Sequence, residues 1–166
     1  DTEAAQLAGR LEELNRERQA VEDRILREAV AQVEAWPESR QRRRGYVVAH
    51  EDWHEGVIGI VASRLVERFN RPVVLIAGTD GDWKGSGRSI PSFDLHAALG
   101  TCSEHLARFG GHRAAAGLSI DPAKLPAFAE AFGEAVDAEL PEEDLQPRVE
   151  VDAVVSGEEL TLDLAT

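Results

Sequence analysis

Phe109-Gly110-Gly111-His112-Arg113-Ala114-Ala115-Ala116-Gly117 is the stretch on which the reading of this chain turns. It places two glycines and a histidine at the exit of a helical pattern. Three alanines and a further glycine then lead into a short apolar run, Leu118-Ser119-Ile120. Bulky residues are missing where a core segment would need them, which points to something in close contact with the backbone. Two readings are open. One is a glycine-lined pocket for a phosphate-bearing ligand, with His112 and Arg113 as its polar side chains. The other is a tight helix-to-strand turn that merely requires glycine.

The flanking sequence gives the fold class. Upstream, Tyr46-Val47-Val48-Ala49 and Pro72-Val73-Val74-Leu75-Ile76-Ala77 read as buried strands, with a helix from about Val57 to Phe69 between them and Asn70 and Pro72 as its stop. Gly78-Thr79-Asp80-Gly81-Asp82 reads as a turn, after which residues 83–90 return as the antiparallel arm of a hairpin. Gly85 and Gly87 inside that arm are costly unless a ligand or backbone comes close, and Ser86, Arg88 and Ser89 supply the donors a phosphate needs. A plain glycine-containing edge strand is the alternative. Ser92 can cap the next helix, whose face is Leu95, Ala98, Leu99, Cys102 and Leu106 and which runs to Gly110. Downstream, Asp121-Pro122 starts a helix with Leu125, Phe128, Ala129, Phe132, Val136 and Leu140 on its buried face. The order strand–helix–hairpin–helix–strand–helix predicts an α/β domain, a mixed sheet covered by helices, over residues 46–141.

Residues 2–36 precede it as one long connecting helix, with an apolar stripe at Leu7, Leu11, Leu14, Val21, Ile25, Ala29, Val33 and Trp36. At 1.5 Å per residue it spans roughly 50 Å, longer than a small domain is wide. A stripe already running at the first residue points to a chain cut from something larger. A freestanding coiled coil is the competing reading, but Arg18 interrupts the stripe. Arg40, Arg42, Arg43 and Arg44 close a linker that completes the unit 1–45, read as solvated, with a phosphate-contacting patch as the alternative. Residues 142–166 change character: Glu142-Glu143-Asp144 is a linker, and residues 149–155 and 160–164 alternate like strands of an extra edge or a following domain.

Composition limits the partners. The net charge of −13 argues against nucleic acid at first, but it is unevenly placed. Residues 1–45 carry 10 acidic and 9 basic side chains, residues 46–118 carry 8 and 7, and residues 119–166 carry 13 and 2. The segment with the glycine motif is thus near neutral, and an anionic ligand remains compatible with it. No run of 18 apolar residues occurs, so no membrane partner is expected. The polar N-terminus lacks a signal-peptide core, and a cytoplasmic location is the default. The single cysteine, Cys102, excludes an internal disulfide and reads as a buried structural thiol.

Three segments together resemble one known family: residues 53–65 (Trp-His-Glu-Gly-Val-Ile-Gly-Ile-Val-Ala-Ser-Arg-Leu), then Gly85-Ser86-Gly87-Arg88-Ser89, then residues 110–117. In that order and spacing they are similar to the DHH-associated domain of RecJ-type single-strand-specific DNA exonucleases. Residues 14–19 look like that family's helix connecting it to the catalytic domain. The glycine–histidine motif alone would indicate only the wider DHH superfamily, which includes oligonucleotide and cyclic-dinucleotide phosphodiesterases and the tail of alanyl-tRNA synthetase. Glu55 departs from the family pattern, where proline is expected.

The resemblance implies the substrate-binding part of an enzyme that degrades single-stranded DNA from its 5′ end in repair and recombination. It implies manganese or magnesium in an upstream DHH catalytic domain, an OB-like β domain downstream, and a chain inactive by itself. Ser86, Gly87, Arg88, Ser89, Gly110, Gly111 and His112 are the implied phosphate contacts, with His112 near the scissile phosphate. Trp53, His54 and Arg113 are further candidate DNA contacts, Trp53 by stacking on a base, with a packed tryptophan as the alternative. No Asp-His-His cluster occurs, so no hydrolytic metal site is expected on this chain. The alternatives are a non-catalytic nucleic-acid-binding accessory like a tRNA-synthetase appendage, the substrate domain of an oligonucleotide or cyclic-dinucleotide phosphodiesterase, or a structural domain that dimerises through its helix.

Overall fold

Valine-rich segments with no polar alternation can only be buried on both faces. In the computed structural model, β1 (Tyr46–His50) and β2 (Val73–Ala77) meet that need as parallel neighbours, joined by α3 (Ile58–Phe69). The structure describes residues 2–78, 80–147, 154, 156 and 157. Before β1 come α1 (Thr2–Glu34) and the single turn α2 (Glu38–Gln41). After β2 the chain returns antiparallel as β3 (Trp83–Arg88), crosses through α4 (Leu95–Thr101), and forms the hairpin β4 (Arg108–His112) and β5 (Ala115–Ile120). The helix α5 (Leu125–Glu139) follows. The sheet order is β1-β2-β3-β5-β4, so β5 is inserted between β3 and its own hairpin partner.

Two of the sequence expectations are corrected here. The helix after the first hairpin ends at Thr101 instead of continuing to Gly110, and Gly110-Gly111-His112 lies within β4. The glycine motif is therefore a strand and a turn, and not a helix-to-strand junction. The helix is also capped by Asp94, whose Oδ1 accepts the Ala97 N–H at 3.0 Å, and not by Ser92. Phe93 is 3% exposed, and inserting it into the core delays the helix start by two residues. The alternating segments 149–155 and 160–164 lie outside the described residues, except for Val154, which is exposed.

Strand alternation sends successive side chains to opposite faces and so divides the core in two. One face carries Val47, Val74, Ile76, Ala116, Leu118 and Ile120 against Leu95 and Leu99 of α4 and Phe128, Phe132 and Val136 of α5. Tyr46, Val48, Val73 and Leu75 occupy the other face, under α3 and the C-terminal half of α1 through Ile25, Ala29 and Val33. The apolar stripe of α1 is thus consumed at that end, while Leu7, Leu11 and Leu14 are exposed beyond the domain. Cys102 is buried at the end of α4, and burial pushes its thiol pKa up, as befits an unreactive packing residue.

The arginine linker is docked in part: Arg42 is exposed and pairs with Glu38 of its own turn, while its neighbours reach the domain. Arg43 pairs with Asp137 at 2.9 Å and with Glu130, and its bond to Asp137 raises its pKa. Arg44 donates to the carbonyls of Asp137 at 3.1 Å and Leu140 at 2.7 Å, satisfying orphan acceptors at the C-terminal end of α5. Arg40 lies over the Trp36 ring at 3.9 Å. These side chains fasten the linker to the domain.

Candidate nucleic-acid interface

The face of the sheet that α1 and α3 cover at β1 and β2 is partly overhung by α3 at β3 and, among the described residues, is exposed at Gly117 of β5 and along β4. Its residues follow from the strand register. Three rungs run across it: Ala77–Lys84–Ser119–Arg108, Leu75–Ser86–Gly117–Gly110 and Val73–Arg88–Ala115–His112. Same-face residues alternate, so β3 contributes Lys84, Ser86 and Arg88 while β4 contributes Arg108, Gly110 and His112. The result is a flat floor with cations at both ends and two glycines at its middle. A cavity of about 670 Å³ opens over the Lys84 end, walled on the α3 side by Glu55, Gly56 and Ile58.

Hydrogen bonds orient this floor. Arg88 donates to Ser86 Oγ at 3.0 Å and to the Gly87 carbonyl at 2.8 Å. Lys84 donates to Ser119 Oγ at 3.2 Å, and Ser119 is 6% exposed. His112 Nδ1 is 2.9 Å from the Ala115 carbonyl. A carbonyl can only accept, so Nδ1 carries the hydrogen and Nε2 remains for a ligand.

Several arginines elsewhere meet carboxylates, as Arg18 does with Glu22, and Arg64 with Glu22 and Asp23. Among the described residues no such ion pair involves Lys84, Arg88 or Arg108. Uncompensated cations beside hydroxyls and open backbone can receive phosphate oxygens.

The glycines divide by what surrounds them. A Cβ on Gly85 would stand 2.6 Å from Leu118 Cδ1, and one on Gly87 would stand 2.8 Å from Leu95 Cδ2. These two positions are glycine because core leucines fill the space, not because a ligand approaches. Gly87, named from sequence as a phosphate contact, turns its Cα to Leu95. Gly110 has open space at its Cβ position, and the nearest atom for Gly117 is the Gly85 carbonyl oxygen at 3.9 Å. Packing therefore does not account for these two; their bareness keeps the floor flat. Gly111 faces the other way, with φ +148° and backbone atoms of β5 against it.

Of the other candidates, Ser89 is engaged in the turn leading to α4, its hydroxyl donating to the Phe93 carbonyl at 3.1 Å. Arg113 is exposed in the β4–β5 turn and donates to the Pro91 carbonyl at 3.1 Å. Both stand at the Arg88–His112 end. His54 is exposed in the loop before α3, and its Nδ1 accepts the Gly56 N–H at 3.0 Å. For Trp53 the packed alternative holds: at 3% exposure, with its indole N–H donated to Glu28 at 2.8 Å, it presents no face for stacking on a base. It anchors the loop to α1, and its hydrogen bond holds the Glu28 carboxyl below its usual pKa.

Lys84, Arg108, Ser119 and Gly59 were not singled out from sequence. The first could have been found by counting back two and four residues from Arg88 along a strand. Arg108 could not, while its segment read as helix. Gly59 stands where α3 passes over the floor: a Cβ there would lie 2.9 Å from Arg88 Nη2 and 3.1 Å from Ser86 Oγ. Both contacts are with side-chain ends that can yield. Gly59→Ala should therefore keep the thermal midpoint within about 2 °C while displacing the guanidinium, which a crystal structure of the variant would show.

A cation-bearing face of a mixed sheet beside a long helix is thus the main feature of this α/β domain. A family model described as the DHHA1 domain matches residues 43–138, and the chain belongs to that family. The chain is 40% identical over 164 residues to the single-stranded-DNA-specific exonuclease RecJ of Bacillus subtilis (strain 168), covering 97% of this chain and 20% of the relative. It is 40% identical over 169 residues to the exonuclease RecJ of Escherichia coli (strain K12), covering 98% of this chain and 29% of the relative. The crystal structure of RecJ from Thermus thermophilus in complex with Mg2+ superposes with a TM-score of 0.73 at 40% identity, over 85% of this chain and 21% of that one. The same protein has also been solved with Mn2+. The C-Ala domain of Aquifex aeolicus alanyl-tRNA synthetase shares the fold, with a TM-score of 0.50 at 13% identity over 56% of this chain and 90% of that one. The chain thus spans less than a third of the curated relatives' length. Among the described residues, no helix is long and apolar enough to cross a membrane, and no three His, Cys, Asp or Glu side chains gather as metal ligands.

Proposed function

We propose that this chain is the substrate-holding part of a metal-dependent exonuclease of the RecJ type, which degrades single-stranded DNA from its 5′ end in repair and recombination in the cytoplasm. The uncompensated cations on the β3–β5–β4 floor carry this reading. Arg88, with Ser86, receives the terminal phosphate. His112 directs Nε2 toward a neighbouring phosphate and, when protonated, stabilises charge developing on it. Among the described residues no donor set suits a metal. Magnesium or manganese, which would polarise the phosphoryl oxygens, belongs to an upstream DHH domain of the longer protein, and the chain alone has no hydrolytic activity. An OB-like β domain follows downstream. The domain organisation is a connecting helix and linker over 1–45, the substrate-holding unit over 46–141, and the start of the next unit over 142–166.

Binding of short single-stranded DNA with and without a 5′ phosphate tests the reading. Hydrogen bonds to charged groups are each worth about 1.5–3 kcal/mol, so Arg88→Ala should weaken the 5′-phosphorylated strand by roughly 10- to 100-fold. It should also erase the preference over a 5′-hydroxyl strand. An unchanged affinity and preference would remove Arg88 from the site.

Salt provides a second check. With Lys84, Arg88 and Arg108 as the neutralising cations, the plot of log K against log salt concentration should have a slope of about −2. A flat plot would mean that the ligand is not held through phosphates.

A further inference from the structure

We propose that Lys84, Ser119 and Arg108 form a second phosphate subsite, which takes the third phosphate of a strand whose terminal phosphate is at Arg88. The proposal rests on the reading of the floor as a DNA surface and adds to it a register and a minimum length. Same-face positions along a β-strand repeat at about 6.6 Å. Successive phosphates of a single strand are joined by six bonds of about 1.5 Å each, which in an extended backbone sets them roughly 6–7 Å apart. The two repeats are commensurate, so a strand lying along β3 meets one rung per phosphate.

The three rungs are chemically different. The first offers Arg88 for the terminal phosphate, with His112 at its far edge directed toward the next phosphate, and the middle one offers the Ser86 hydroxyl beside two bare glycines, Gly117 and Gly110. The third again offers two cations, Lys84 and Arg108, about 13 Å from the first along β3. Lys84 gives one donor to the buried Ser119 hydroxyl, which fixes the ammonium over the floor and leaves two donors for a ligand. The cavity above this rung, about 670 Å³, is of the size that holds a nucleotide. Glu55 lines it from the opposite wall, the one carboxylate of the lining among the described residues, and it opposes anion binding there.

The experiment measures binding of 5′-phosphorylated oligothymidylates of one to four nucleotides to the chain. Affinity should step up about tenfold between two and three nucleotides and change less between three and four. Lys84→Gln combined with Arg108→Gln, which keeps side-chain bulk, should remove the step and leave the 5′-phosphate preference intact. Glu55→Gln should tighten the trinucleotide severalfold. A smooth rise with length, or a step that survives in the double variant, would overturn the subsite while leaving the Arg88 site standing. Loss of the 5′-phosphate preference in the wild-type chain would overturn the underlying reading and the subsite with it.

Discussion

Replacing Gly111 by alanine should detach β4 from the sheet. A Cβ there would lie 2.4 Å from the Ala115 carbonyl oxygen and 2.5 Å from the Ala116 Cα, and both are backbone atoms that cannot step aside. The residue also holds φ +148°, which an L side chain rarely adopts. Strain and overpacking together cost roughly 3 kcal/mol, equivalent to a fall in Tm of about 10 °C. The loss should be local as well, because among the described residues β4 is the edge strand and pairs with β5 alone. Amide hydrogen exchange in residues 108–112 should accelerate well beyond that of β1 and β2. DNA binding should fall with it, since β4 carries Arg108 and His112. A variant with wild-type Tm and protected β4 amides would show that the hairpin is not as drawn.

Gly117→Val should do the opposite: leave the fold and remove the binding. The position is central in β5, its Cα faces the open floor, and the nearest atom to an added Cβ is 3.9 Å away. A β-branched residue is favourable in a strand, so Tm should hold or rise slightly. The isopropyl group would stand between Ser86 and Gly110 and lift a phosphodiester from the floor. Losing two charge-assisted contacts at about 1.5–3 kcal/mol each reduces affinity by at least roughly 100-fold. Calorimetric unfolding alongside a DNA titration separates the two variants: Gly111→Ala loses stability first, and Gly117→Val loses binding alone. Equal affinity of Gly117→Val and wild type would mean that the bare middle of the floor serves no ligand.

The contrast between these glycines explains what sequence could and could not reveal. β1, β2, α3 and α5 were legible because burial leaves a periodic apolar record, as in residues 73–76 and in Phe128, Phe132 and Val136. β4 left no such record. Its floor face is Arg108, Gly110 and His112, and of its core-facing residues only Phe109 has a bulky side chain, so the segment read as the tail of a helix and a turn. Gly85 and Gly87 looked like ligand glycines because the leucines that occupy their space come from elsewhere in the chain. Trp53 looked available because its partner, Glu28, is 25 residues upstream on another helix. The Ser86–Arg88 and Gly110–His112 clusters were visible as polar residues among glycines. Their union on one face with Lys84, Ser119 and Arg108 follows only from the order β3-β5-β4.

The most direct test of the account is an amide chemical-shift titration of the isotope-labelled chain with a 5′-phosphorylated trithymidylate. The floor model predicts perturbations at Lys84, Ser86, Arg88, Arg108, Gly110, His112 and Gly117, with α4, α5 and the exposed start of α1 unmoved. Shifts concentrated on the α4–α5 face, or along the docked arginines 40–44 with the floor silent, would contradict it.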